Sequence, residues 1–516
     1  MSTFHGLETA RRAINTQQTA IHTTGHNIAN AGTEGYSRQR VNMSPSQAFP
    51  GTGMNRPGIP GQIGTGVEAQ SVARVRDDFL DDRFRSETSR HGEWSTRHSS
   101  LERVEDLFNE TSGTGIGTSM DRFWQSLQDL STDPSDTGLR TVLKENGTAL
   151  AESFKYTSDG LDSIRRQTSR ELEASESEIN GLLGQISAIN EQITSLESHG
   201  QVPNDLYDAR DRMVDELSGF MNISVDRSAP AGSGKSAMAG GYTINLLDQN
   251  GLRMDTLVDG AEGTHKEIRL GFNGESGLLD SISTGTPEQL DAGEEAGVTA
   301  FSVSDFTSSG KLRAQAEFFG YTNDGNAQGT LVDIQNDFDT LAYTYITEFN
   351  ALHEEGFSLD GEGGGPFFEP FPEGEISGAA GRITVHQDIL DDVNNIAASS
   401  SPEGATGNGS HAAALGNMRD KTFSFGGTET DAQSFYQSIV GDTAVKTSEA
   451  GRMAKTAADI QSAVGDRRES VSGVSLDEEM SNLVQFQHAY NAAARSMTAM
   501  DEMLDRIING MGVVGR

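Results

Sequence analysis

Both ends of the chain carry a narrow apolar stripe that recurs every seven residues, and this repeat constrains the fold more than any other feature. The first stripe consists of Leu7, Ile14, Ile21 and Ile28. The second consists of Leu476, Leu483, Tyr490, Met497 and Leu504, widened by Met480, Phe486 and Ile508. A stripe this narrow is typical of a helix–helix seam rather than of one side of a broad core. The sequence therefore predicts that the two terminal helices pair with each other and with neighbouring copies of the chain.

The last helix has its own start and stop signals. Ser475 and Glu478 have the spacing of a capping box, and Gly510 lies just beyond the apolar stripe. Arg506 suits the negative C-terminal end of a helix dipole. We therefore expect a helix over residues 475–509, about 50 Å long at the usual rise per residue.

The interior alternates between long helical and β-like segments. A central stripe of the coiled-coil type is formed by Ile179, Leu182, Ile186, Ile189, Ile193 and Leu196. From about Asn222, short apolar runs between glycines favour strands. We predict a mainly α chain with a β-rich insertion. Its predicted parts are a terminal helical core domain with an irregular or β arm (1–72 with 470–516), a long-helix bundle (73–221 with 322–354 and 431–469), a β-rich domain (222–321) and a Gly- and Ser-rich irregular or β segment (355–430).

Charge and composition exclude several classes of function. The formal net charge of −37 would repel nucleic acid and anionic membranes, so we expect neither as a partner. The chain has no cysteine, which excludes disulfides and thiolate metal sites. It has no apolar signal-peptide core at its start and no apolar run long enough to cross a membrane.

No residue pattern indicates catalysis. His22 and His26 have the spacing of zinc ligands on a helix, but the glutamate base of the zinc-protease motif is absent between them and no third ligand is evident. The triplets at 323–325 and 360–362 carry oxygen ligands of the calcium type, yet neither completes a calcium-binding loop, and we interpret both as turns. We expect no catalytic residue, no metal and no cofactor.

Two terminal segments resemble those of a known family. The N-terminal motif consists of Asn27, Ala29, Asn30, Thr33, Gly35, Tyr36 and Arg38. The C-terminal motif covers residues 477–480, 485–492 and 501–505. Together they resemble the signatures of bacterial flagellar rod, hook and hook-associated proteins. Inside the chain, Arg74 with residues 64–67 and 78–80, and the long helical region followed by residues 204–211, resemble the hook-associated members.

The resemblance implies a non-enzymatic structural subunit outside the cell, in the flagellum, that joins hook to filament after export without a cleaved signal peptide. It implies a ring of copies of the chain, with the hook protein below and the next hook-associated junction protein above. It also implies contact with the flagellar export apparatus, and with an export chaperone that binds the C-terminal helix. Two alternatives stay open: a hook or distal-rod subunit, and a secreted acidic adhesin or hydrolase housed in residues 222–430.

Overall fold

The computed structural model describes residues 3–49, 61–108, 115–228, 240–292 and 297–510. The helices are α1 (Thr3–Ala29), α2 (Asp78–Phe108), α3 (Ile116–Thr132), α4 (Thr137–Ser198), α5 (Asn204–Phe220), α6 (Pro287–Ala292), α7 (Lys311–Phe319), α8 (Thr330–Glu354), α9 (Ala379–Arg382), α10 (Gln387–Asp391), α11 (Ser410–Gly416), α12 (Ala432–Ser472) and α13 (Leu476–Gly510). The strands are β1 (Gln39–Pro45), β2 (Val67–Arg74), β3 (Ile223–Ser228), β4 (Gly241–Leu247), β5 (Arg253–Asp259), β6 (Thr264–His265), β7 (Glu267–Phe272), β8 (Leu279–Gly285), β9 (Thr299–Ser302), β10 (Tyr321–Asn323), β11 (Asn326–Gln328), β12 (Phe423–Phe425) and β13 (Thr428–Thr430).

The architecture is nested, with the two chain ends side by side and the β-rich region in the middle of the sequence. Helices α1 and α13 pack along each other, and the antiparallel hairpin β1–β2 lies against α1. The predicted class, a mainly α chain with a β-rich insertion, is confirmed.

The helical bundle is centred on α2, α3, α4, α8 and α12. Helices α2 and α12 run antiparallel, since Gln461 of α12 donates to Thr88 at 2.9 Å while Gly451 faces His98 farther along. The largest core cluster is rich in aromatic rings: Phe108, Phe123, Trp124, Phe154, Phe338, Tyr345 and Phe349. Each of these large rings removes a large apolar area from water, which stabilises the bundle.

The Gly- and Ser-rich segment 355–430 contributes directly to the bundle core. Phe367 and Phe368 are fully buried beside Phe349. Asn350 of α8 accepts from the N–H groups of Phe367 at 3.1 Å and Phe368 at 2.9 Å, and donates to the Phe368 carbonyl at 2.8 Å. This segment is therefore an integral layer of the bundle, whereas its composition alone suggests a separate irregular piece.

The central stripe on α4 packs differently from the coiled coil that its spacing predicts. Ile179, Leu182, Ile186 and Ile193 are buried, while Ile189 and Leu196 are half-buried. The first three share a core cluster with Val214 and Leu217 of α5 and with the strands β4, β5, β7 and β8. The apolar face of α4 thus meets a short helix and the β-rich region, because the inserted strands fold back onto it.

The β-rich region contains two small sheets. One has the antiparallel order β3-β4-β5-β6. The other has the order β11-β10-β8-β7, with β9 paired to β8. The strands β10 and β11 are joined by Asp324 and Gly325, whose φ angles of 48° and 80° are those of a tight hairpin turn. The triplet 323–325 is therefore a turn, as predicted.

His353, at the end of α8, makes the bundle sensitive to acid. Its Nδ1 lies 2.6 Å from the Gly365 carbonyl oxygen, and its Nε2 accepts from the Ala397 N–H at 3.0 Å, an arrangement that suits a neutral ring. Burial lowers the pKa of His353 to about 4. The unfolded chain, with a pKa of about 6.5, takes up the proton first as the pH falls. Stability present above pH ~6.5 is therefore lost on the way to pH ~4, and we expect a loss of about 2 kcal/mol between pH ~7 and pH ~5.

Urea unfolding at these two pH values checks the His353 prediction. The variant His353→Gln removes the titrating ring and is expected to show a clearly shallower pH dependence. Burial also lowers the pKa of His411, so part of the dependence persists in the variant. An unchanged pH dependence in His353→Gln would contradict the assignment.

Candidate assembly site at the paired terminal helices

Small residues let α1 and α13 approach closely. A Cβ on Gly6 would lie only 2.9 Å from Cε of Met500, and Ala10 and Ala20 are buried. Near the other end of α1, Asn27 contacts Glu479 at the start of α13, so the two helices are antiparallel. The predicted seam residues Leu7, Ile14, Ile21 and Ile28 are half-buried in this arrangement. A single copy of the chain therefore leaves part of that stripe in solvent.

The apolar residues of α13 divide into two sets. Leu504 is buried, and Leu483, Phe486, Tyr490 and Met497 are half-buried on the side of the helix pair. The second set is exposed: Leu476, Met480 and Val484 near the start, and Met503, Ile507 and Ile508 near the end. Met480, for example, is 59% exposed. So many large apolar side chains on one exposed helix indicate a surface that another molecule covers.

The N-terminal motif forms a hydrogen-bonded joint around the buried Asn27. Its Oδ1 accepts from the Tyr36 hydroxyl at 2.8 Å and from the Gln39 N–H at 2.9 Å. Its Nδ2 donates to the Gln39 carbonyl at 2.8 Å and to a carboxylate oxygen of Glu479 at 3.0 Å. This one amide therefore holds together the end of α1, the start of the hairpin and the start of α13.

Arg38 extends this joint to the last helix. Its Nε donates to Glu479 at 2.8 Å, and its Nη1 donates to Glu478 at 2.8 Å. Its backbone N–H donates to the Ser472 carbonyl at 2.8 Å, at the end of α12. Glu478, which the sequence assigns to a capping box with Ser475, thus serves as a partner of Arg38.

The rest of the motif shapes the loop that leads from α1 to the hairpin. Gly35 has a φ of 74°, and the Tyr36 N–H donates to the Thr33 carbonyl at 3.2 Å, which closes a turn. Asn30 donates to the His26 carbonyl at 3.0 Å. Nδ1 of His26 lies 2.9 Å from the Tyr36 hydroxyl, so this histidine takes part in the joint. Ala29, by contrast, is exposed.

A buried charge cluster connects the hairpin to the bundle. Its cations are Arg74, Arg76, Arg85 and Arg468, and its anions are Asp81, Asp208, Asp211 and Asp215. At its centre, one oxygen of Asp211 lies 2.7 Å from Nη1 of Arg74 and 2.8 Å from Nη1 of Arg76. Burial alone would raise the pKa of Asp211, but Arg76, Arg74 and Arg85 together hold it well below its usual value.

Sequence reasoning missed this cluster. Arg74 and the segment 204–211 each contribute to the family resemblance, yet nothing in the sequence pairs them. The structure does so, because Arg74 of β2 binds Asp208 at 2.8 Å as well as Asp211. The sequence offers one signal for the contact: opposite charges, at Arg74 and at Asp208 and Asp211, stand in two segments of the same family resemblance.

Glu479 is expected to stabilise the docking of α13 far more than its neighbour Glu478. Its side chain is 3% exposed, against 62% for Glu478. Replacing Glu479 by alanine leaves one N–H of the buried Asn27 amide without its acceptor, because the Gln39 carbonyl accepts only the other. Leaving a buried donor unpaired costs about 2 kcal/mol. Amide hydrogen exchange at the start of α13 should then quicken roughly thirtyfold. The matched variant Glu478→Ala should change it little, and equal effects of the two variants would refute this assignment.

Within the ranges that the structure describes, no helix is long and apolar enough to cross a membrane. In the same ranges, no group of three histidine, aspartate or glutamate side chains is arranged to hold a metal ion.

Comparisons with known proteins agree with this architecture. Three family models match: "Flagella basal body rod protein" at residues 7–36, "Flagellar hook-associated protein FlgK helical domain" at residues 101–368, and "Flagellar basal body rod FlgEFG protein C-terminal" at residues 468–510. Flagellar hook-associated protein 1 of Bacillus subtilis is 38% identical over 100% of both chains. The protein of the same name from Escherichia coli is 24% identical over 98% of this chain and 99% of that protein.

A solved structure shares the fold. It is the flagellar hook junction protein FlgK from Burkholderia pseudomallei, which superposes with a TM-score of 0.60 at 14% identity. The match covers 76% of this chain and 100% of that chain.

The paired terminal helices, the nested bundle and the matched models together define a structural component of the bacterial flagellum. Within that class, the full-length similarity and the match to the helical-domain model both indicate the same family. The chain belongs to the flagellar hook-associated protein 1 family.

Proposed function

We propose that this hook-associated structural protein forms the junction between hook and filament, as a ring of copies held together through its terminal helices. The observation that carries the proposal is the row of exposed apolar side chains on α13, which one copy leaves uncovered. In this proposal the neighbouring copy covers part of that row. The half-buried Leu7, Ile14, Ile21 and Ile28 of α1 complete the surface.

Such a ring has two ends, and each end contacts a different proposed neighbour. The hook protein lies on one side and the next hook-associated junction protein on the other. Before assembly, an export chaperone covers the apolar side of α13, at Leu476, Met480, Leu483, Phe486, Tyr490, Met497, Leu504 and Ile508. The export apparatus delivers the chain to the outside of the cell without cleaving a signal peptide. The protein acts by binding alone, without catalysis.

Deleting the gene tests this function directly. Electron microscopy of the deletion strain should show hooks that carry no filament. Loss of the hooks would instead indicate a hook or distal-rod subunit. Filaments that stay attached would refute a role at the junction.

The variant Met480→Asp tests the exposed surface. A charge at this position costs little in the free chain, because the side chain is solvated, but several kcal/mol once a neighbour buries it. We therefore expect unchanged thermal unfolding and a loss of filament attachment of about tenfold or more. The control variant Leu252→Asp alters an apolar side chain of similar exposure in the β-rich region and should assemble normally. Normal attachment of filaments in Met480→Asp would show that the start of α13 is not an assembly surface.

A further inference from the structure

A shallow apolar groove runs along the outer side of the α2–α12 pair, close to the point where α12 leads into α13. It has a volume of about 380 Å³ and is lined by Phe79, Leu80, Arg83, Thr456, Asp459, Ile460, Ala463, Val464 and Arg467. The ring of Phe79, in the first turn of α2, is 70% exposed. Ile460 is also exposed, so two large apolar side chains of the groove face solvent.

Positive charge flanks these apolar side chains. Arg83 and Arg467 line the groove on α2 and α12, and neither guanidinium forms an ion pair with a described residue. Asp459 is the acid among the lining residues, so the groove carries a small positive excess. This local excess contrasts with the chain as a whole, whose formal net charge is −37. An occupant with apolar side chains and a negative charge would match the groove.

The start of α13 has these properties. Leu476, Met480 and Val484 are exposed, and their spacing of four residues places them on one side of the helix. Asp477 lies on the same side, since Met480 follows it by three residues and Val484 by seven, and it is exposed. Among the described residues, no cation pairs with Asp477.

We propose that the α2–α12 groove of one copy receives the first turns of α13 from a second copy of this chain. The contact would place Met480 and Val484 against Phe79 and Ile460, and Asp477 beside Arg83 and Arg467. Two different surfaces meet in this contact, so it is heterologous, and repeating it generates a ring or a helical array rather than a closed dimer. The inference rests on the proposed assembly of copies through α13 and names the surface that receives it.

The groove and the start of α13 lie at similar positions along the molecule, which supports this pairing. Arg467 and Val464 lie in the last turns of α12, and α13 begins just after that helix ends. Both surfaces therefore lie close to the junction between the bundle and the terminal helices. Copies placed side by side at the same height would bring one surface next to the other.

A photocrosslinker at the groove tests the proposal in assembled flagella. The variant Phe79→p-benzoylphenylalanine keeps an aromatic ring in place, and irradiated hook–filament structures are then analysed by mass spectrometry. We expect cross-links between copies that map to residues 471–484. The control variant Tyr156→p-benzoylphenylalanine, at an exposed ring on α4, should not give them. Cross-links only to other parts of the chain, to a different protein, or not at all would overturn the inference.

A charge swap gives a second measurement. The variant Arg83→Glu, Arg467→Glu should lower the yield of these cross-links about tenfold, since like charges would then face each other. Adding Asp477→Lys should restore most of the yield. The control Arg166→Glu, at an exposed position of α4, should leave it unchanged. If the yield of these cross-links does not change in the charge-swap variants, the inference is also overturned.

Separate observations test the proposed function and the contact between the groove and α13. If the isolated hook–filament structures do not contain the chain, the junction assignment fails. The same cross-linking on the concentrated purified protein then decides whether the groove binds a second copy.

Discussion

Replacing Asp211 with alanine is expected to lower the free energy of unfolding by about 4 kcal/mol, a large part of the stability of an ordinary domain. The carboxylate is 2% exposed and accepts from Arg74, Arg76 and Arg85. Removing it leaves three buried guanidiniums with one anion fewer. Removal of one partner is costly because the desolvated charges that remain lose their compensation.

Urea unfolding of the full chain at neutral pH measures the effect. Asp82→Ala is the matched control, because its carboxylate is 62% exposed and lies 3.9 Å from Arg85. That variant should lose less than about 1 kcal/mol. Similar losses in the two variants would contradict a special role for the buried cluster.

The pH dependence of the Asp211 effect has a definite sign. Because neighbouring arginines lower the pKa of Asp211 in the folded chain, its stabilising contribution is present above the unfolded pKa of about 4. It is lost as the pH falls below that value. The difference between the original chain and Asp211→Ala should therefore shrink in acid.

Periodicity predicted the helices well, but not the surfaces that they contact. The repeat at 179–196 shows that one side of α4 is buried, and this is correct for Ile179 and Ile186. It cannot distinguish a helix from a sheet as the partner, since both present an apolar surface. Here the partners are α5 and the inserted strands.

Composition was a poor guide to the segment 355–430. Its glycines and serines favour an irregular or β segment and do not indicate burial, yet Phe367 and Phe368 belong to the largest core cluster. The glycines let the backbone follow the bundle closely: a Cβ on Gly364 would lie 2.5 Å from the His353 carbonyl oxygen. Backbone hydrogen bonds to Asn350, which no sequence pattern marks, hold the two phenylalanines in place.

The assembly site was predictable at the level of motifs but not of contacts. The motif around Asn27 was found from the resemblance, whereas its bond to Glu479 joins positions far apart in the sequence. The apolar stripe of α13 was also found, although its division into a paired side and an exposed side depends on where α1 packs. That division suggests separate tests for the helix pair and for the assembly surface.

Replacing Leu504 with aspartate is expected to separate α13 from α1 and to abolish filament attachment while the bundle stays folded. Leu504 is 8% exposed and is the buried apolar residue of α13 among those described. An unpaired carboxylate there would cost several kcal/mol, comparable to the packing energy available to one helix pair.

Two measurements separate the effect of Leu504→Asp on the terminal helices from a general loss of folding. Hydrogen exchange should show lost protection in α1 and α13 but retained protection in α4 and α8, whose core lies elsewhere. Electron microscopy should show hooks without filaments. The control Asn491→Asp adds the same charge at an exposed position of the same helix and should do neither. If Leu504→Asp supports normal filament attachment, pairing of the terminal helices is not needed for assembly, and the exposed side of α13 must act without α1.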